Sequence, residues 1–135
     1  MNLSVNAILL YSIIGAVILV YFPYLFVAIS RMQVGYDLSA PRAMFDKLPA
    51  YAQRATWAHQ NSFEALIVYT AAATMAYITE VNSPWATNAA VAFLLARLLF
   101  SVFYILDIPL GRSLMFIIGS IASITLFALS VIQFQ

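Results

Sequence analysis

Apolar positions fall in four long runs, about Ala7 to Ile29, Trp57 to Thr79, Trp85 to Leu106 and Ser113 to Phe134, set apart by polar stretches. As helices rising about 1.5 Å per residue, runs of this length cross a hydrocarbon core of roughly 30 Å. Helix breakers punctuate the polar stretches. Gly35, Pro41 and Pro49 lie in the first, Glu80-Val81-Asn82-Ser83-Pro84 forms the second, and Pro109 and Gly111 lie in the third. The pattern predicts an all-α integral membrane protein, a four-helix up-down bundle forming a single domain over 1–135. Its expected spans are 7–29, 57–79, 85–106 and 113–134, with one sizeable loop at 31–56. Pro23 is expected to kink the first helix. Small residues four apart, Ala72 with Ala76 and Gly119 with Ser123, predict close helix packing.

Composition agrees with the pattern. Hydrophobic residues make up 64% of the chain and charged residues 8%, against about 25% charged in soluble domains. A net charge of +1 offers no basic patch for nucleic acid. There is no cysteine, hence no disulfide framework, thiol nucleophile or thiolate metal site, and the single histidine cannot form a metal site alone. The first apolar run is too long for a signal-peptide core and lacks a charged leader, so it reads as a span. Arg31, Arg42, Lys47 and Arg54 lie in the first loop and Arg112 follows the third run, so both loops are expected to be cytoplasmic and both termini outside. The bacterial inner membrane is the expected location.

Polar side chains inside the runs carry the candidate chemistry. Trp57, Asn61 and Glu64 share one helical face, and Arg54 lies on nearly the same stripe. Glu64 is about one turn inside an apolar run, where a lone charge costs on the order of 2.5–3.5 kcal/mol. Arg97, near the middle of the third run, is the expected partner, at a depth difference of roughly 7 Å that a guanidinium spans. Arg97, Ser101 and Tyr104 share a face, with Tyr104 level with Asn61 and Glu64. This is either a structural ion pair satisfied by Asn61 and Tyr104, or part of a site. Arg112 and Ser113 open the fourth run, where a hydroxyl and free backbone amides would suit an anion, although a topology-setting cation also fits Arg112. His59, Trp57 and Trp85 read as interfacial or packing residues.

At these residues the chain resembles the MAPEG family, the membrane-associated proteins in eicosanoid and glutathione metabolism. The resemblance rests on Ala58-His59-Gln60-Asn61-x-x-Glu64, on Arg97 followed by Tyr104, and on Arg112-Ser113. It implies a homotrimer binding glutathione as co-substrate between adjacent subunits near the cytoplasmic face, and a transferase or peroxidase acting on a lipophilic electrophile that enters from the membrane lipids. Asn61 and Glu64 would contact glutathione's polar backbone and amino group, and Tyr104 its peptide. Arg97 would hold Glu64 or a carboxylate. Arg112 would lower the thiol pKa and Ser113 donate to the thiolate. The sequence departs from the family pattern at three positions. Trp57 stands where many relatives carry an arginine that grips a glutathione carboxylate, a role Arg54 would take over; Phe116 stands where some have tyrosine against the tripeptide, and Gln60 where some have a basic residue. These departures motivate an alternative, a non-catalytic lipid-binding or scaffold protein of the same fold. A small exporter with Glu64 as its proton-coupled site is a further rival, opposed by the neighbouring Arg97.

Overall fold

A computed structural model describes residues 3–135. Four α-helices follow one another: α1 (Val5–Gln33), α2 (Ala50–Ile78), α3 (Pro84–Ile105) and α4 (Pro109–Phe134), with a short 3-10 helix, Pro41–Lys47, between the first two. No strand occurs among the described residues. Local chemistry sets the helix limits. Ser4 Oγ accepts the Ala7 N–H at 3.2 Å and caps α1. Prolines stand at the starts of the other three, Pro49 as the N-cap of α2 and Pro84 and Pro109 within the first turns of α3 and α4, where a missing N–H costs nothing. The C-terminal ends of α2 and α3 close alike. Val81 N–H donates to the Ala76 carbonyl and Glu80 N–H to Tyr77; Ile108 N–H donates to Phe103 and Asp107 N–H to Tyr104. Both are Schellman closures, with Glu80 at φ 53° and Asp107 at φ 61° where glycine is usual.

Three boundaries differ from the sequence expectation, the end of α1 at Gln33 rather than Ile29 and the starts of α2 and α4. α2 starts at Ala50 rather than Trp57, because Ala52, Ala55 and Ala58 extend its buried stripe through the polar stretch. Ala52 and Ala55 pack with Val27, Leu48 and Ile105. α4 starts at Pro109 rather than Ser113. With α1 running on to Gln33, much of the expected loop 31–56 is helical.

The main core lies where α1, α2, α3 and α4 meet and is built largely from alanine, including Ala72, Ala73, Ala76, Ala86 and Ala90. Such residues let helix backbones approach closely where lipid provides no hydrophobic drive. One large polar residue sits among them. Tyr69 is fully buried, stacks on Phe93 at 3.7 Å and shares a 2.6 Å hydrogen bond with Ser12. α1, α3 and α4 are each long and apolar enough to cross a membrane. Large apolar side chains such as Ile18, Leu95 and Ile124 point outward from them, as suits lipid rather than water. α2 is more polar, because its first half carries Arg54, His59, Gln60, Asn61 and Glu64.

Candidate functional site

Arg97 lies on the inward face of α3 and is only 4% exposed. Its terminal nitrogen donates to Asn61 Oδ1 at 3.0 Å and Ser62 Oγ at 3.2 Å, and its guanidinium lies 4.1 Å over the Phe100 ring. Ser62 in turn donates to the Ala58 carbonyl at 2.8 Å. Asn61 Nδ2 reaches Glu64 Oε2 at 3.4 Å. The direct Glu64–Arg97 ion pair expected from helical depth is therefore not formed. Arg97 folds onto Phe100 and is held by α2 residues one turn before Glu64, so Asn61 links cation to carboxylate and Glu64 stays exposed.

Two neighbouring cavities open beside this network. The first, about 270 Å³, lies between α2, α3 and α4 and is lined by Asn61, Glu64, Arg97 and Phe116 together with apolar side chains such as Val68 and Phe93. The second, about 390 Å³, is lined by Asn61, Phe100, Tyr104, Arg112, Ser113 and Phe116. Asn61 and Phe116 belong to both. Seven of the eight candidate residues are thus brought together.

The exception is Arg54. It lines neither cavity; its Nε donates to the Ile105 carbonyl at 3.1 Å and a terminal nitrogen lies 3.8 Å from Asp107 Oδ2. It fastens α2 to the end of α3. The half-buried Arg112 guanidinium lies 4.5 Å over the Tyr104 ring and has no hydrogen bond or ion pair among the described residues. The backbone part of the expected anion site is not formed, because α4 starts earlier: Arg112 N–H already donates to the Ile108 carbonyl at 3.0 Å. The side chains of Arg112 and Ser113 still face the cavity. Gly111 matters to their placement, since a Cβ there would lie 2.7 Å from the Phe103 ring; glycine lets α4 begin hard against α3.

A third cavity, about 670 Å³, opens between α1, the 3-10 helix and α2, with Arg31, Arg42, Trp57, His59 and Gln60 in its wall. Arg31 is 8% exposed, and its buried Nε has no hydrogen-bond partner. His59 Nδ1 lies 2.7 Å from the Val20 carbonyl, pinning α2 to α1 near Pro23. Read as a topology signal, Arg31 was not singled out as a site residue. The available signal was its position at the end of the buried α1 stripe Val20, Pro23, Val27, Arg31. No group of three or more metal-ligating side chains occurs among the described residues.

These features define an integral membrane protein whose helices hold a largely apolar, cation-bearing cleft between the middle of α2, the C-terminal half of α3 and the first half of α4. The chain belongs to the MAPEG family, whose model matches residues 8–132. Comparison with curated proteins gives no match, and comparison with solved structures gives none.

Proposed function

We infer that the chain is a membrane-embedded, glutathione-dependent transferase or peroxidase acting on a lipophilic electrophile. The observation that carries this is Arg112: a guanidinium seated on Tyr104, facing a cavity with Ser113 and Asn61 and not neutralised by any carboxylate among the described residues. An unneutralised cation favours a thiolate over a thiol, and the thiolate is the nucleophile. Glu64, exposed at the wall of the adjoining cavity, suits an amino group, Arg97 and Asn61 suit a carboxylate or peptide, and the Tyr104 hydroxyl suits the peptide between them. The bound thiolate would attack the electrophilic carbon, forming a carbon–sulfur bond as the bond to the leaving group breaks and that group departs with the electron pair. Alternatively it would attack the outer oxygen of a hydroperoxide, breaking the O–O bond to release the alcohol and leave a sulfenic acid, which a second thiol converts to the disulfide with loss of water. Ser113 would hydrogen-bond the sulfur.

In this reading all four α-helices span the membrane as an up-down bundle, the connections 34–49 between α1 and α2 and 106–108 between α3 and α4 face the cytoplasm of a bacterial cell, and three copies assemble. The cavity holding Arg31 then faces a neighbouring subunit. Its buried Nε without a partner supports that arrangement, because once Glu64 takes the amino group, glutathione's two carboxylates and thiolate are three anionic groups against the two cations Arg97 and Arg112. A second reading, lipid binding without catalysis, is favoured by Trp57, whose ring packs on Phe45 and Tyr104 where relatives carry a carboxylate-gripping arginine.

Thiolate absorbance of glutathione against pH, measured on reconstituted wild type and Arg112→Ala, separates the two. A thiol pKa lowered by about one to two units in the wild type and restored in the variant is the expected result. No binding at millimolar glutathione would leave lipid binding as the function.

A further inference from the structure

Both cations of the cleft rest on aromatic rings of α3: Arg97 lies 4.1 Å over Phe100 and Arg112 lies 4.5 Å over Tyr104. For Arg112 the ring is the one strong side-chain contact recorded among the described residues. Asp107, the nearest carboxylate along the chain, is turned towards Arg54. The distinction matters chemically. A carboxylate would fix an arginine but cancel its field, whereas a ring face fixes the guanidinium and leaves its charge available. The ring needs support of its own. Tyr104 is flanked by Phe100 at 5.5 Å in edge contact and by Trp57 at 6.4 Å, and Trp57 leans on Phe45 of the 3-10 helix at 5.6 Å. These spacings lie within the usual range for aromatic pairs. An aromatic ladder thus runs from the 3-10 helix through α2 to the ring beneath Arg112.

We propose that Trp57 and Tyr104 are positioning residues that hold the Arg112 guanidinium over the cleft as an unneutralised cation. Trp57 then braces the thiolate subsite through Tyr104, in place of gripping glutathione directly. This rests on the thiol-binding role inferred above, and it assigns the Tyr104 ring a task separate from that of its hydroxyl.

The test uses the full chain in lipid nanodiscs, with glutathione as the probe. Tyr104→Leu and Trp57→Leu are expected to raise the bound thiol pKa by about half a unit to one unit and to lower kcat about three- to tenfold. Tyr104→Phe keeps the ring and should keep the lowered thiol pKa while raising KM through the lost hydroxyl. Trp57→Phe should recover most of what Trp57→Leu loses. A Tyr104→Leu protein with unchanged thiol pKa, or a Tyr104→Phe protein as impaired in thiol pKa as Tyr104→Leu, overturns the proposal.

A ligand-free measurement separates this from failure of the function itself. In arginine-labelled protein, with Arg112 assigned by Arg112→Lys, the Arg112 δ-proton resonances should be ring-shifted upfield in wild type and Tyr104→Phe, and should return to ordinary positions in Tyr104→Leu. Absence of that shift in wild type overturns the ladder whether or not glutathione binds. Its presence with no glutathione signal retains the ladder and removes the thiol-binding role.

Discussion

Ser101 is fully buried on α3, and its hydroxyl has no hydrogen-bond partner. The buried hydroxyls of Ser62, Ser123 and Ser130 each donate to a carbonyl one turn back, whereas Ser101 does not. Removing an unsatisfied polar group from an apolar setting leaves nothing unpaired behind. Ser101→Ala is therefore expected to stabilise the protein by about 0.5–1 kcal/mol, seen as a higher unfolding temperature in one fixed detergent; a loss of stability would mean that the hydroxyl has a partner after all. At this scale the sequence was informative where charge met apolar surroundings. Asn61, Glu64 and Arg97 stood out because each is expensive in a hydrocarbon setting, and all three line the cleft. Tyr69 and Arg31 did not stand out. Tyrosine is common at membrane interfaces, so only Ser12 and Phe93 beside it reveal that Tyr69 is buried; arginine is common in loops, which masks the place of Arg31 at the end of the α1 stripe Val20, Pro23 and Val27.

Helix ends decide how the cleft is assembled. Gly111, in the first turns of α4, has the Phe103 ring where its Cβ would project, at 2.7 Å. In Gly111→Ala the ring must move or the start of α4 must swing away, carrying Arg112 off Tyr104. The expected outcome is a net stability loss of about 1 kcal/mol, with weakened lowering of the glutathione thiol pKa; unchanged values of both would show that Phe103 yields without moving the backbone. At the other end of the molecule Glu80 holds φ 53° in the closure of α2. An L-residue pays about 1–2 kcal/mol there, so Glu80→Gly should stabilise by about 0.5–1 kcal/mol after glycine's extra chain entropy, read from the same melting assay. Periodicity located all four helices but misplaced two starts. Apolar-run counting stops where polar side chains begin, yet Ala52, Ala55 and Ala58 carry the α2 stripe beneath them. Pro109 starts α4 before the apolar run does. The second error had chemical weight, since it had assigned free amides to Arg112 that the helix already uses.

On the scale of the whole molecule, composition and run length were enough to assign the membrane class, but periodicity carries no signal for how copies associate. The assembly reading comes from family resemblance and gains support from Arg31, which lies in a different cavity from Arg112. If each glutathione site combines the Arg112 side of one subunit with the Arg31 side of another, two defective chains can repair each other. Arg31→Ala and Arg112→Ala, each nearly inactive alone, would then regain activity when co-expressed. Random mixing in a cyclic trimer pairs one intact side with the other at about a quarter of the sites. Recovery near that fraction, in particles whose mass is three chains, is the expected result. If the sites lay within single subunits, every site in the mixture would still carry one defect and no activity would return. If the particles had the mass of three chains but showed no recovery, Arg31 would belong to the α1–α2 packing of its own subunit, and the missing carboxylate grip at Trp57 would have to be made good from within the cleft.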